Sequence, residues 1–191
     1  LDTTMPDTTG YVTKTVKATG GDFISLQTAV NHSSVKDATT GVIVQIDAGY
    51  TITETVTLPI HTNPWVIIQS SLVANLPVGT RVTIADAVNM PKIAGTDFPV
   101  IAIQTANAAS RYRLIGLEIA PASGTFATML VRFGGDGSET NLANLPSDLI
   151  VDRCYIHGDP TLGGRRGIGL NSKSTAVIDS YISDWKEVGS D

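Results

Sequence analysis

The stretch SDLIVDRCYIHGD alternates apolar and polar residues and then breaks step at Asp152-Arg153. Side chains of a β-strand point to opposite faces in turn, so Leu149 and Val151 share one face. If the pair at the break is skipped at a bend, Ile156 returns to that same face. The pattern therefore predicts a short strand with a bend at this pair.

The same arrangement occurs on both sides of this stretch, in YRLIGLEI and in TAVIDSYI. The inward slots of the three copies hold Tyr112, Leu114, Leu117 and Ile119; Leu149, Val151, Cys154 and Ile156; and Thr175, Val177, Ser180 and Ile182. The skipped pairs are Ile115-Gly116, Asp152-Arg153 and Ile178-Asp179. Unequal spacing between copies is typical of one structural unit repeated with loops of different length, which indicates a solenoid.

A second set of apolar runs, VIVQ, VIIQ and IAIQ, lies upstream and ends in Gln45, Gln69 and Gln104. With the three later copies, these runs predict about six strands, and no helical pattern separates them. The glutamines are expected to form a ladder of amides on one face of the stack. A row of amides that binds sugar hydroxyls is the alternative.

One helix is predicted near the start of the chain. In GGDFISLQTAVNHSS, Phe23, Leu26 and Val30 follow helical spacing, and Asp22 stands in an N-cap position. The first coil of a solenoid exposes apolar side chains and unpaired backbone, which a short amphipathic helix can cover. We therefore expect an N-terminal capping helix.

From about Val12 onward the chain resembles the pectate-lyase-like family of secreted bacterial proteins. The resemblance rests on ATGGDFISLQTAVN and on DLIVDRCYIHGDPTLGGRRGIGLNSKSTAVIDSYISDWKEVGSD. It implies an all-β fold, a right-handed parallel β-helix with a short N-terminal capping α-helix. The expected organisation is a Thr-rich tail over 1–11 and a β-helix domain over 12–191, truncated at its C-terminal end or covered there. The resemblance also implies a secreted, extracellular or cell-surface location.

Composition narrows the classes of partner. The net charge is −5 and only 16% of residues are charged, so no nucleic-acid footprint is indicated. No apolar run approaches the roughly 20 residues that cross a bilayer, so no membrane span is expected. The single cysteine, Cys154, excludes an intrachain disulfide. It fills an inward slot and is expected to pack as a small apolar residue rather than act as a nucleophile.

The richest cluster of candidate chemistry is RCYIHGDPTLGGRRG. Proline and glycine mark a loop here, and loops on rigid scaffolds carry function. Arginines can grip the carboxylates of an acidic polysaccharide or stabilise charge in a lyase. A loop held by salt bridges from Arg165 or Arg166 to Asp152, Asp159 or Asp179 is the alternative. The outward-facing Tyr155 and Tyr181 either form platforms for sugar rings or stack for stability alone. With them included, the predicted substrate-binding residues are Arg153, Tyr155, His157, Asp159, Arg165, Arg166 and Tyr181.

A metal site is the weaker hypothesis. Asp152, Asp179 and Asp184 lie near bends of adjacent coils and could converge on calcium. Aspartates at turns more often accept hydrogen bonds from nearby backbone amides. No other cofactor is indicated.

The active-site motifs of the resembled enzymes are missing from the sequence. Polygalacturonases carry paired aspartates and a Gly-His-Gly turn, pectate lyases an Arg-x-Pro-x-x-Arg segment, and pectin esterases a Gly-x-x-Asp-Phe strand. Glycoside hydrolysis needs two carboxyl groups that flank one bond. Two functions stay open: a polysaccharide-associated protein, which binds an acidic glycan or forms the front of a lyase, and a structural subunit that self-assembles through an open end.

Overall fold

The structure, a computed structural model, describes residues 1–96, 100–135 and 140–187. The last four residues of the expected domain, 188–191, lie outside the described residues. The fifteen strands are β1 (Val12–Val16), β2 (Val42–Ile46), β3 (Thr51–Thr53), β4 (Val56–Leu58), β5 (Val66–Ser70), β6 (Lys92–Gly95), β7 (Ile103–Thr105), β8 (Ser110–Ile115), β9 (Glu118–Pro121), β10 (Val131–Phe133), β11 (Ser147–Asp152), β12 (Tyr155–His157), β13 (Ile168–Leu170), β14 (Thr175–Ile178) and β15 (Tyr181–Ser183).

The strands form three sheets, and every pair of named strands is parallel. Sheet A has the order β1-β2-β5-β8-β11-β14, sheet B the order β15-β12-β9-β6-β3, and sheet C the order β13-β10-β7-β4. From β2 to β15 the chain visits sheets A, B and C in that unvarying sequence. This arrangement is compatible with the expected β-helix.

The core consists of columns of aliphatic residues that the pairing places in register. Leu114, Val151 and Val177 are neighbours in sheet A, as the sequence predicted. Ile119, Ile156 and Ile182 are the corresponding residues of sheet B. Burying one such side chain contributes about 2 kcal/mol, so the columns supply much of the stability of the fold.

The bends between sheets A and B explain the skipped pairs. Gly116, Arg153 and Asp179, the second residue of each pair, have φ of 63°, 49° and 49°. This left-handed conformation turns the chain out of sheet A, and it costs a residue with a Cβ about 1 kcal/mol or more. Each break in alternation therefore marks the same left-handed bend, which occurs at three successive coils.

Cys154 lies in the slot after the bend and is fully buried. Its Sγ lies 3.6 Å from the carbonyl oxygen of Leu114. Burial raises the pKa of the thiol to about 12, so the thiol stays protonated at neutral pH and packs as an apolar group.

The N-terminal helix is present, but it begins later than predicted. Helix α1 spans Leu26–Asn31 and α2 spans Ser33–Lys36. Ser25, not Asp22, is the N-cap of α1, and its Oγ accepts from Thr28 N at 3.0 Å.

Asp22 is engaged elsewhere. Its carboxylate accepts from Thr15 N and Thr15 Oγ1, both at 2.8 Å, and the next residue, Phe23, pairs with the edge of β1. The helix can start only after this edge contact ends. Leu26, Ala29 and Val30 of α1 are buried in the core, as expected of a cap.

Two predictions about the strands are wrong. The six predicted strands become fifteen, because each repeat contributes a strand to three sheets and several of these have only three residues. Gln45 and Gln69 are in register in sheet A, but Gln104 belongs to sheet C, where its Nε2 donates to Thr57 Oγ1 at 2.9 Å. The three glutamines therefore do not form one ladder.

The bend at Gly116 gives a test of the fold. A Cβ at this position would be strained by the positive φ and would overlap Leu76 Cδ1, which is itself packed in a small apolar cluster with Val82 and Met90. We expect Gly116→Ala to lower the free energy of unfolding by about 2 to 3 kcal/mol, measured by urea denaturation.

Gly20→Ala is the matched control. Gly20 has a φ of 70°, and no atom lies within 4 Å of the position of its Cβ. Gly20→Ala should lower the free energy of unfolding by about 1 kcal/mol, the cost of the backbone conformation alone. Equal losses at the two glycines would contradict the packing of Leu76 against this bend.

Candidate functional site

A groove with a volume of about 410 Å³ runs along the corner where sheet A turns into sheet B. Its floor is a row of aligned residues near the ends of four neighbouring strands of sheet A, of which Ile115, Asp152 and Ile178 end their strands and Gln69 is the last but one. Its walls come from the segment between β5 and β6 and from the N-terminal segment. The lining residues are Met5, Gln69, Val73, Ala74, Val78, Gly79, Arg113, Ile115, Asp152, Arg153, Ile178 and Asp179.

The register of sheet A places the floor residues side by side. Gln69 pairs with Ile115, Ile115 with Asp152, and Asp152 with Ile178. Because neighbouring strands lie about 4.8 Å apart, these four side chains form one row across the sheet. Arg153 and Asp179 follow the row at the left-handed bends.

A buried ion pair holds the floor together. Arg113 and Asp152 are each 3% exposed, and Arg113 Nε and Nη2 donate to Asp152 Oδ2 at 3.2 and 2.8 Å. Arg153 Nε donates to the other oxygen of Asp152 at 3.0 Å. One carboxylate thus binds two guanidinium groups, which fixes the orientation of both.

The N-terminal segment completes this network. Arg113 Nη1 donates to the carbonyl oxygens of Thr3 at 2.9 Å and Thr4 at 3.2 Å. Met5 follows these residues and lines the groove. Residues that were expected to form a tail therefore lie against the outer face of sheet A and shape the groove.

Three polar side chains of the groove keep hydrogen-bonding capacity. Within the part of the chain that the structure describes, the side chains of Gln69 and Asp179 make no hydrogen bond, and Arg153 Nη1 makes none. They supply a guanidinium donor, an amide donor and acceptor, and a carboxylate acceptor. The apolar lining residues lie between them, so the groove offers both hydroxyl partners and apolar surface.

The predicted tyrosine platform lies outside the groove, on the outer face of sheet B. Tyr155 and Tyr181 are neighbours in register, with ring centroids 5.7 Å apart. Tyr155 is only 7% exposed, because Leu76, Val82 and Met90 pack over it. The expectation of an exposed pair is therefore wrong for Tyr155. These covering residues belong to the long connection between β5 and β6.

His157 lies next to Tyr155, with the two rings stacked at 4.4 Å. Its Nε2 lies 3.0 Å from Glu118 Oε1 and its Nδ1 lies 2.9 Å from the carbonyl oxygen of Gly158. Both ring nitrogens thus face acceptors, which leaves neither available as a base toward a ligand. Burial opposes the ionisation of Glu118, yet hydrogen bonds from His157 and Lys92 hold its pKa below the ordinary value.

The loop after β12 carries the other predicted residues, and none of them lines the groove. Asp159 accepts from the backbone nitrogens of Gly124, Thr161 and Leu162, each at 2.9 Å, and these bonds lower its pKa. Asp159 is therefore a turn residue that ties two loops together.

The two arginines of this loop differ. Arg165 forms an ion pair with Glu187, which raises the pKa of the guanidinium. Arg165 is thus salt-bridged, but to Glu187 rather than to Asp152, Asp159 or Asp179, the partners considered from the sequence. Arg166 is exposed, and its side chain makes no hydrogen bond or ion pair within 1–96, 100–135 and 140–187.

The three candidate calcium ligands do not converge. Asp152 and Asp179 both line the groove, but Asp152 is occupied by two arginines, and Asp184 does not line the groove and accepts from Ser183 Oγ at 2.9 Å. Among the described residues, no group of three or more His, Cys, Asp or Glu side chains is arranged to hold a metal ion.

Of the seven predicted binding residues, the groove contains Arg153 alone. Of the other polar lining residues, Arg113 was not predicted, Asp152 and Asp179 were considered as calcium ligands, and Gln69 was considered only in the alternative of a sugar-binding row. Register aligns Gln69 and Asp152 on the floor, and Asp179 lies at the bend after β14.

Comparisons of the chain with protein-family models, with curated proteins and with solved structures found no match. Among the described residues, no helix combines the length and the apolar character needed to cross a membrane.

The ion pair on the groove floor gives a direct test. Asp152→Asn keeps the shape of the side chain but leaves the buried Arg113 without a counter-charge. Breaking a buried pair in this way costs about 3 to 5 kcal/mol. We expect chemical denaturation to show that Asp152→Asn lowers the free energy of unfolding by that amount. Asp184→Asn, at an exposed aspartate, should change stability by less than about 0.5 kcal/mol. If the two variants were equally stable, the buried pair would not be a determinant of the fold.

Proposed function

We propose that the protein is a right-handed parallel β-helix of the pectate-lyase-like type, secreted, that binds a polysaccharide in the groove. The unvarying succession of sheets A, B and C supports the β-helix. Parallel strands of one sheet joined by crossover connections are right-handed in nearly all proteins, which supports the handedness.

The observation that carries the binding proposal is the set of unsatisfied polar groups in the groove. Arg153 Nη1, the Gln69 amide and the Asp179 carboxylate can donate to or accept from sugar hydroxyls. Met5, which is 41% exposed, and the half-buried Ile178 offer apolar surface to the carbon face of a sugar ring. Ligand sites typically combine such apolar lining with a few convergent polar groups.

The charges of the groove indicate hydroxyl recognition rather than capture of a strong anion. Arg113 and Arg153 are balanced by Asp152 and Asp179, so the lining carries no net formal charge. Arg113 uses all three of its guanidinium nitrogens within the protein. Arg153 is thus the arginine that contacts the ligand.

Binding is proposed rather than bond cleavage. A lyase requires a base beside the substrate and a group that stabilises the developing charge. Asp152 is neutralised by two guanidinium groups, and both nitrogens of His157 face acceptors. Asp179 is the one acidic side chain of the groove lining that is free of an ion pair in the described residues.

Arg153→Gln tests the proposal. Isothermal titration with hexagalacturonate and with its methyl ester should show binding of both to the parent protein. The variant should bind both about tenfold or more weakly, since a hydrogen bond to a charged group contributes about 1.5 to 3 kcal/mol. The loss should be alike for acid and ester, because Arg153 is proposed to contact hydroxyls.

Arg166→Gln is the matched control, since it removes an exposed arginine that does not line the groove. It should bind as the parent does. If the parent bound neither ligand, or if Arg153→Gln bound both unchanged, the proposal would fail.

A specific observation favours a second candidate function, self-assembly through the C-terminal face of the sheets. Val177 and Ile182 are 38% and 43% exposed, whereas Val151 and Ile156, one coil earlier in the same columns, are fully buried. Within the described residues, β13, β14 and β15 each pair on one side only. A second copy stacked there would cover both the apolar side chains and the free backbone edge.

The association state separates this second candidate from the first. A self-assembling protein should show dimers or larger species in sedimentation at micromolar concentration, and Ile182→Lys should shift the distribution toward the monomer. A parent protein that stays monomeric at all concentrations up to the millimolar range would rule out self-assembly as its function.

A further inference from the structure

A second cavity, with a volume of about 340 Å³, lies on the outer face of sheet B. It is lined by Arg81, Val82, Thr83, Ile84, Ala85 and Tyr181. Five of these residues belong to the connection between β5 and β6, the same connection that forms one wall of the groove. The cavity and the groove are therefore built on two parts of one chain segment.

The two sites are adjacent and rigidly joined. Gly79 lines the groove and Arg81 the second cavity, and two residues of extended chain span at most about 7 Å. Val82, which lines the second cavity, is fully buried, and its backbone nitrogen donates to the carbonyl oxygen of Asp179 at 2.9 Å. Asp179 itself lines the groove. This hydrogen bond fixes the cavity relative to the groove.

The second cavity differs from the groove in its charge. Arg81 is exposed and lies 5.4 Å from the centroid of the Tyr181 ring. Its guanidinium has no ion pair with any described carboxylate. Asp86, the acidic residue of the same segment, accepts instead from Thr83 N and Thr83 Oγ1 at 2.7 and 2.9 Å. Arg81 is thus an exposed cation with no ion-pair partner in the described part of the chain, in a protein of net charge −5.

The remaining surface suits a sugar ring. The Arg81 guanidinium lies over the Tyr181 ring, and this ring and Ile84, which is 58% exposed, supply the aromatic and aliphatic lining of the cavity. An aromatic face packs against the carbon-bound hydrogens of a sugar ring, and a guanidinium binds a carboxylate by two parallel hydrogen bonds. A sugar that carries a carboxylate, a uronate, satisfies both features.

We propose that one linear acidic glycan spans both sites, with the hydroxyls of one unit in the groove and the carboxylate of a nearby uronate on Arg81 above Tyr181. This inference rests on the proposed polysaccharide binding and adds the part of the surface that selects acidic polymers. The groove recognises the sugar, and Arg81 recognises its charge.

Arg81→Gln, titrated with hexagalacturonate and with its methyl ester, tests the inference. The variant should bind the acid about tenfold more weakly than the parent does, and its affinity for the ester should stay unchanged, because the ester has no carboxylate for Arg81. The affinity of the parent for the acid should also fall more steeply with added salt than that of the variant. Since Arg81 is exposed, the variant should unfold at the same temperature as the parent.

Tyr181→Leu supports the same test from the apolar side, and it should weaken binding of both acid and ester. Arg166→Gln again serves as the control for loss of one surface charge. Suppose that Arg81→Gln bound the acid as tightly as the parent while Arg153→Gln bound it weakly. The proposed role of Arg81 would then be wrong, and the proposed binding in the groove would be supported. If the parent bound neither ligand, the polysaccharide function itself would fall.

Discussion

In-register stacking of parallel strands is the constraint on which the rest of this structure depends. Each residue of a strand lies directly above its counterpart one coil earlier, about 4.8 Å away. Every inward side chain must therefore pack against the side chains in the same slot of the neighbouring coils. Leu114, Val151 and Val177 satisfy this rule in sheet A. The same rule governs the outer faces, where it arranges Gln69, Asp152 and the bend residues Arg153 and Asp179 into one corner. The fold and the candidate site are therefore two consequences of one register.

The part of the fold that repeats locally could be predicted from the sequence. The inward columns and the skipped pairs were predicted because four slots recur with conserved spacing inside each copy, and a one-residue slip would have exposed every apolar side chain. Sheets B and C were largely missed, since strands of three residues are too short to show alternation. Gln104 was assigned to the wrong sheet for the related reason that similar short runs occur in different sheets of one coil.

The site could be predicted only where it coincides with the repeat. Arg153 was chosen as part of a cluster of charged residues, and it also lies at the break in the alternation. Arg81, Met5 and the cover over Tyr155 come from the connection between β5 and β6 and from the N-terminal segment, which are far from Arg153 in sequence and have no period. Six of the seven predicted residues were chosen by chemical type within one stretch, whereas the structure distributes the seven over the groove, the outer face of sheet B and a loop. The sequence also could not show which arginines form ion pairs. Arg113 and Arg165 pair with carboxylates of the protein, whereas Arg81 pairs with none among the described residues.

Backbone amide NMR during titration with hexagalacturonate tests the central claim, that the corner of sheets A and B is the glycan site. At 191 residues the protein is well suited to such mapping. The account predicts saturable shift changes at Gln69, Arg153, Asp179, Arg81 and Tyr181, with the loop of Asp159, Arg165 and Arg166 unchanged. Shift changes confined to that loop, with the corner unaffected, would contradict the account.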